Sequence, residues 1–553
     1  MCTRFSKGGI SVGKILIQKG LIVDGTGSSG FVGDLLIENG KISKIAPEID
    51  QNLADKIIPA EGLVVIPGII DGHSHTERTI FRNPYSESKL FQGVTSEVIC
   101  QCGEGIYPLP EAQEKREDFA HLSQGVYSGS AIEGKPTWTT FATYKEALEE
   151  VGPALNLLPL IPHGALRATI VGWGNRLSTE TEKEKMKQLA KQNMEEGAWG
   201  LSFGLEYPPS SYADLEELIA LGKTIGEAGG YCAFHLRNED NFLLEAIQEA
   251  LDTGKESGCP VHISHLKADG KPNWGKAMEG LEMIRKAQKE GVQATTEQYP
   301  YEAFSTNLSL LFGGWVQEGG QGAYMDRLAD IELREQLEEE IIANMNLRGG
   351  PEKIVISQTA SQRTDCKGKT IADTAKEWDI LPAQVVTRLL LEEKGGAWGV
   401  FFGMDIMEVR EMLVQPDVMI ISDGFGLSLP SDSTSFFHPR SFGSFTKVLG
   451  PMVREEKLLT LELAVHKMTG LTAKYLGISD RGILKEGLVA DITIFDPTTV
   501  TDRATFDETG PYSEGINHVI VNGKIALEDG KINSERYGQI LTRRINGSRL
   551  TGI

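Results

Sequence analysis

Six side chains in this sequence combine types and spacings that suit metal chemistry. His73 and His75 stand two apart in PGIIDGHSH, so an extended backbone points both imidazoles to one side. His235 and His265 close the apolar runs YCAFH and VHISH, one 30-residue repeat apart. Cys102 ends VICQC, and Asp423 ends VMIISD. Each residue taken singly has an ordinary explanation: a hydrogen-bonded core histidine, a buried thiol or a capping carboxylate. The chain has only ten histidines, however, and four of them fall at comparable places. That makes coincidence a poor account. Imidazole, thiolate and carboxylate together form a zinc donor set. The six suffice for two ions sharing a ligand, or for one tight and one looser site. A divalent metal lowers the pKa of bound water to about 7 and polarises a carbonyl. Asp423 is placed to act as general acid and base. The chemistry this points to is metal-assisted hydrolysis, above all of an amide. Cys100 shares the face of Cys102 but lies deeper, and Cys232 and Cys259 are scattered; all three are read as core.

Those donors need a scaffold that brings strand ends together. Between residues 64 and 423 apolar runs alternate with amphipathic helical stretches at a period of about 30 residues, as in βα repeats around a parallel sheet. Eight strands are expected, at 64–73, 94–102, 156–163, 198–206, 231–237, 261–267, 292–301 and 417–423. Eight units suggest a TIM-like (β/α)8 barrel, which builds its site at the C-terminal strand ends. All six candidates fall there. The interval before the last strand exceeds 100 residues. Residues 306–352, with the acidic stretch IELREQLEEEIIANM, are read as an inserted subdomain, and KTIADTAKEW and AQVVTRLLLEEKG as barrel helices. Both chain ends are strand-rich, with a hairpin signal at Asn522-Gly523. Neither end is sufficient alone. Residues 1–63 and 476–553 are therefore expected to form one small β-sandwich, leaving 64–475 as the hydrolase barrel.

The formal net charge is −22, which disfavours nucleic acid or an anionic membrane as partner. Any anionic substrate needs a locally basic pocket. There is no membrane-spanning apolar run, and residues 1–14 carry no apolar signal core, so the cytoplasm is the expected compartment.

PGIIDGHSH, the later histidines and SDG resemble the amidohydrolase superfamily. FQGVTSEVICQCG, WGLSFGLEYPPSSY, FHLRNE, HISHLKADG, QYPYEAFSTNL, KTIADTAKEW, MIISDG and HPRSFGSFTKVLG resemble, in order, the D-aminoacylase (N-acyl-D-amino-acid deacylase) family within it. C-terminal GILKEGLVADITIFDP and VIVNGKIALEDGK fit as well. The resemblance implies zinc held tightly by Cys102, His235 and His265. It implies a second, weaker metal position near His73, His75 and Asp423, with Asp423 as the base. Many amidohydrolases bridge two metals with a carboxylated lysine on strand four. This chain has no lysine in 155–182 or 198–222, and the resemblance puts Cys102 in that role. It further implies that Lys267, Tyr299, Ser305 and Arg440 bind a substrate carboxylate. Physically, Arg suits such a clamp.

The implied reaction is hydrolysis of an N-acyl-D-amino acid, a small-molecule substrate, by metal-activated water with Asp423 as general acid/base. The alternative is another amide bearing a free carboxylate, such as an acylated dipeptide or a cyclic amide. Three features depart from the family pattern. Thr76-Glu77 follows His-Ser-His, where an acidic residue is expected directly. Gln101 precedes Cys102 in place of asparagine. Glu206 in GLEYPP replaces a smaller or apolar residue and is read as a salt-bridged rim carboxylate.

Overall fold

The computed structural model describes residues 13–112, 137–429, 438–508 and 510–543. Residues 1–12 and 544–553, the outer ends of the two expected β-domain parts, lie outside the described residues.

Short segments buried on both faces form the parallel strands that a barrel enclosed by helices requires. They are β1 (Ile69–Asp71), β2 (Val94–Ile99), β3 (Asn156–Pro159, running on as Ile161–Pro162), β4 (Leu201–Gly204), β5 (Cys232–His235), β6 (Val261–Ile263), β7 (Ala294–Gln298) and β8 (Val418–Ile420). One ladder joins β1 to β2 and to the first part of β3; a second runs from the rest of β3 through β7 to β8. The helices between them carry their own boundary signals. The helix Leu215–Glu227 starts where the Asp214 carboxylate accepts the Glu217 N–H at 2.9 Å. It buries Leu218, Leu221 and Ile225 against the barrel core. The helix Leu243–Ser257 stops at Gly258, whose φ of 69° is left-handed.

The seam between β8 and β1 is closed mainly by side chains. Beyond one parallel bridge, Ser74 to Gly424, the Asp423 N–H donates to the His73 carbonyl at 2.9 Å. Asp71 accepts from the Ser422 N–H at 3.0 Å and from its hydroxyl at 2.5 Å. Lys89, fully buried, donates to Asp71 and to the Ser422 hydroxyl, both at 2.6 Å. This clasp sets His73 beside Asp423.

The chain ends build one nine-stranded sheet. Val64–Pro67 pairs antiparallel with Ile492–Phe495 and parallel with Ile15–Ile22, so it links the N-terminal strands to the C-terminal ones. The 64–73 run therefore divides at Gly68, one part in this sheet and the other in the barrel.

Between β7 and β8 the chain leaves the barrel. Phe304–Asn307, Ile354–Thr359 and Ala397–Phe401 form an antiparallel three-stranded sheet with Ala397–Phe401 in the middle. The excursion thus reaches from Phe304 to Phe401, wider than 306–352. The helices Ile371–Trp378 and Pro382–Glu392, expected on the barrel, pack instead within this unit, against its sheet and the helices Gln321–Ala329 and Arg334–Leu347. Their amphipathic pattern specifies a buried face but not the partner that covers it. The helix Ile406–Val414 packs against both β7 and β8. No described helix is long and apolar enough to cross a membrane.

Candidate metal centre

All six donor residues meet at the C-terminal mouth of the barrel. Cys102 Sγ lies 3.3 Å from His73 Nε2 and 3.4 Å from His265 Nε2. His235 Nδ1 lies 3.2 Å from His265 Nε2. Asp423 Oδ1 is 3.5 Å from His73 Nε2 and 3.3 Å from His75 Nε2. With Zn–N near 2.0–2.1 Å and Zn–S near 2.3 Å, two ligand atoms of one tetrahedral zinc stand about 3.3–3.6 Å apart. The spacing is therefore that of ligands around an ion. Two imidazole nitrogens and a sulfur turned toward one another also make a poor hydrogen-bond set, because neutral rings cannot donate at every contact. The donors form two overlapping groups, His73–His75–Cys102 and Cys102–His235–His265, with Cys102 common to both. This donor chemistry fits zinc.

The backbone is bent to aim these groups. Cys102 (φ 56°), His265 (φ 32°) and Asp423 (φ 53°) all sit at positive φ, as does Cys100 (φ 64°). Such angles cost non-glycine residues energy and cluster at functional sites. Here they turn three side chains inward just past their strands. The Cys102 loop is further held by Ser202 of β4, whose hydroxyl donates to the Cys100 carbonyl at 2.6 Å and accepts the Gly103 N–H at 3.1 Å. Gly204 is required beside it, since a Cβ there would collide with the Cys102 carbonyl. β4 thus offers a hydroxyl and no amine, consistent with a sulfur standing between the two donor groups.

Each histidine is backed by a carboxylate. Glu297 Oε1 meets His73 Nδ1 at 2.5 Å, Glu77 Oε1 meets His75 Nδ1 at 3.2 Å, and Glu239 Oε1 lies 3.1 Å from His265 Nδ1. Glu206 Oε2 lies 3.1 Å from His235 Nε2. Such partners fix tautomer and ring orientation and raise ligand basicity. Sequence reasoning missed the supporting parts of Glu297, Glu239 and Glu77. The available signals were slight: a glutamate inside the buried strand ATTEQ, and one four residues past His235.

The electrostatics favour a cation. Burial pushes the Cys102 thiol up, but His73, His265 and His235 outweigh it and hold the thiol well below its usual value. Burial disfavours charge on His73 and His235, yet the anions around them raise both to about 10. These are Cys102, Glu297 and Asp423 for the first, and Glu239, Cys102 and Glu206 for the second. Asp423 is desolvated too, but Arg440 and His73 keep it well below the carboxylate range. This excess of negative groups is balanced either by protons on the imidazoles or by metal.

Lys267, Ser305 and Arg440 line the cleft above the donors. Lys267 Nζ is 2.5 Å from Glu239 Oε2 and 3.0 Å from His265 Nδ1. Arg440 Nη1 is 2.7 Å from Asp423 Oδ2. Tyr299 stands differently from the expectation: it is buried, and its hydroxyl donates to Met404 Sδ at 3.4 Å. Its ring lies under Arg440, 5.1 Å from the guanidinium carbon. Ser305 comes from the inserted sheet, which therefore forms one wall of the cleft.

A (β/α)8 barrel whose mouth gathers imidazoles, a thiolate and an aspartate is the architecture of a metal-dependent hydrolase. The chain belongs to the amidohydrolase family, which it matches over residues 56–331 and 393–527. It is 32% identical to the N-acyl-D-aspartate deacylase of Alcaligenes xylosoxydans xylosoxydans over 530 residues, 95% of this chain and 94% of that one. It is 31% identical to the D-aminoacylase of the same organism over 533 residues, covering 96% and 97%. Among solved structures, the N-acyl-D-glutamate deacylase of Bordetella bronchiseptica, complexed with zinc and a phosphonate mimic of the tetrahedral intermediate, matches with TM-score 0.80 and 32% identity, covering 96% and 99%. A D-aminoacylase described as having a binuclear metal center matches with TM-score 0.79 and 30% identity over the same shares.

Proposed function

We propose that this protein is a zinc-dependent deacylase that hydrolyses N-acyl-D-amino acids to a carboxylate and a free D-amino acid. The observation that carries this reading is the convergence of Cys102, His73 and His265 at 3.3–3.4 Å with Asp423 beside them, under a cleft holding Lys267 and Arg440. Cys102, His235 and His265 would hold the tight ion, and His73, His75 and Asp423 a second, weaker one. Zinc there would supply a Lewis acid for the amide carbonyl and lower the pKa of water.

The chain's own groups do the rest. Arg440 and Lys267 bind the α-carboxylate, with Ser305 beside them and the Tyr299 ring as the platform under Arg440. Binding through two cations fixes the amide over the donor cluster at the cleft floor. Asp423 Oδ1 takes a proton from the attacking water and delivers it to the leaving nitrogen, so the C–N bond breaks with release of a neutral amine. Selectivity for the D configuration follows from the fixed clamp: carboxylate and carbonyl are both anchored, so inverting Cα exchanges hydrogen and side chain. This reading also places the protein's partner as a small molecule.

The test is a panel of N-acetyl-D- and N-acetyl-L-amino acids, with amine release and metal content measured on the same purified sample. Turnover of D members only, with about one tightly held zinc per chain, is expected. A metal-loaded sample that releases no amine from any D member would sink the proposal.

A further inference from the structure

Counted by Lys and Arg alone, the cleft has one carboxylate more than it has cations, and the carboxylate left over is Glu206. Four carboxylates (Glu104, Glu206, Glu239 and Asp423) face three Lys or Arg side chains, Arg78, Lys267 and Arg440. Lys267 pairs with Glu239 at 2.5 Å, Arg440 with Asp423 at 2.7 Å, and Arg78 contacts Glu104. Glu206 is left without a Lys or Arg partner among the described residues. Its Oε2 meets His235 Nε2 at 3.1 Å, and among the described residues no donor reaches its Oε1.

Glu206 also differs from the carboxylates that back the other histidines. Glu77 and Glu297 have fully buried side chains and that of Glu239 is 6% exposed, whereas that of Glu206 is 15% exposed and lines the cleft. The loop that follows it is tied to both the inserted unit and the barrel. The Tyr207 hydroxyl is 3.0 Å from Thr306 Oγ1 of the inserted unit, and Ser210 Oγ is 2.8 Å from His163 Nδ1 of the barrel. A cleft-lining carboxylate with an oxygen free for a ligand attracts donors and cations and repels a second anion.

We propose that Glu206 is a specificity-determining residue that turns away acidic D-amino-acid derivatives and favours substrates with neutral hydrogen-bonding or cationic side chains. This rests on the deacylase reading above and narrows its substrate class. It separates the protein from relatives named for D-aspartate and D-glutamate. A like charge about 6–12 Å away in a cleft of effective dielectric near 20 lowers kcat/KM roughly tenfold to a hundredfold.

The experiment compares kcat/KM for the near-isosteric pair N-acetyl-D-glutamine and N-acetyl-D-glutamate, with N-acetyl-D-lysine and N-acetyl-D-leucine alongside. Wild type and Glu206→Gln are assayed at matched zinc content. Wild type is expected to favour the glutamine derivative by at least about tenfold. Glu206→Gln, and equally Glu206→Met, should lower that ratio by about tenfold, and added salt should shrink it in wild type alone. Calorimetric affinities for the products D-glutamine and D-glutamate should move the same way. If Glu206 only orients His235, all substrates slow together and the ratio stays fixed, which overturns the proposal. A wild-type preference for the glutamate derivative overturns it too. If N-acetyl-D-leucine and every other D member are inert with zinc bound, the deacylase reading itself has failed, and this inference with it.

Discussion

His163 directly follows barrel strand β3 and His235 ends β5, and both are buried, yet the chain uses them in opposite ways. His163 is satisfied at both nitrogens: Nδ1 by Ser210 Oγ at 2.8 Å and Nε2 by Glu217 Oε1 at 2.9 Å. Arg167, fully buried, forms an ion pair with Glu217 at 3.0 Å. The residues Ser210, His163 and Glu217 are those of a nucleophilic triad, but Ser210 is only 2% exposed. They form a brace under the loop that carries Glu206. His235 instead turns Nδ1 toward another imidazole nitrogen. A strand-end histidine is therefore not a ligand by position alone. What marks the ligand is a nitrogen left facing other lone pairs, a deficit that only a cation or added protons can fill.

That contrast can be broken by mutation. The largest effect is expected from Cys102→Ala, because it removes the donor shared by both groups. Zinc per chain, measured after dialysis, should fall to near zero and turnover with it. Cys232→Ala removes a core thiol 3.7 Å from Cys259 and should leave zinc content unchanged. Next comes Asp423→Asn, expected to lower kcat by about 10²–10⁴ while zinc stays at Cys102, His235 and His265. Near-normal kcat would remove Asp423 from the proton path.

The brace should respond in stability rather than in metal content. Glu217→Gln leaves the Arg167 charge buried and unpaired, which costs about 3–5 kcal/mol in urea unfolding. Zinc stoichiometry should stay as in wild type, and a loss of zinc would show that the two clusters are not separable. The smallest effect is a pH dependence. Burial raises the Glu217 pKa, but His163 and Arg167 outweigh it and bring it to about 2. A carboxylate depressed in the folded state stabilises above its unfolded pKa of about 4.3 and loses that contribution as pH falls toward 2. Roughly 3 kcal/mol should therefore disappear between pH 4.3 and 2 in wild type and be missing from Glu217→Gln. Equal acid slopes in the two proteins would contradict the assignment.

Much of the architecture was legible because it rests on local pattern. The apolar runs at 231–237 and 261–267 contain β5 and β6, and the 30-residue period places His235 and His265 on adjacent strands. Other parts depend on which surfaces meet. The amphipathic helix Pro382–Glu392 suits a barrel or an inserted sheet equally well, and only the pairing of Ala397–Phe401 between two other strands decides which. Tyr299 lies in a motif that suggests a carboxylate contact, but its hydroxyl ends against Met404 and its ring under Arg440.

By itself, then, the sequence determined the donor types, their strand-end positions and the repeat that makes a barrel, because periodicity and residue chemistry are local. The tertiary structure alone decided that Glu297, Glu77, Glu239 and Glu206 back the four histidines, and that Asp71 and Lys89 close the seam at β1 and β8. Those contacts join residues up to 351 positions apart. Their existence depends on distances and on the burial of charge, which no local pattern encodes.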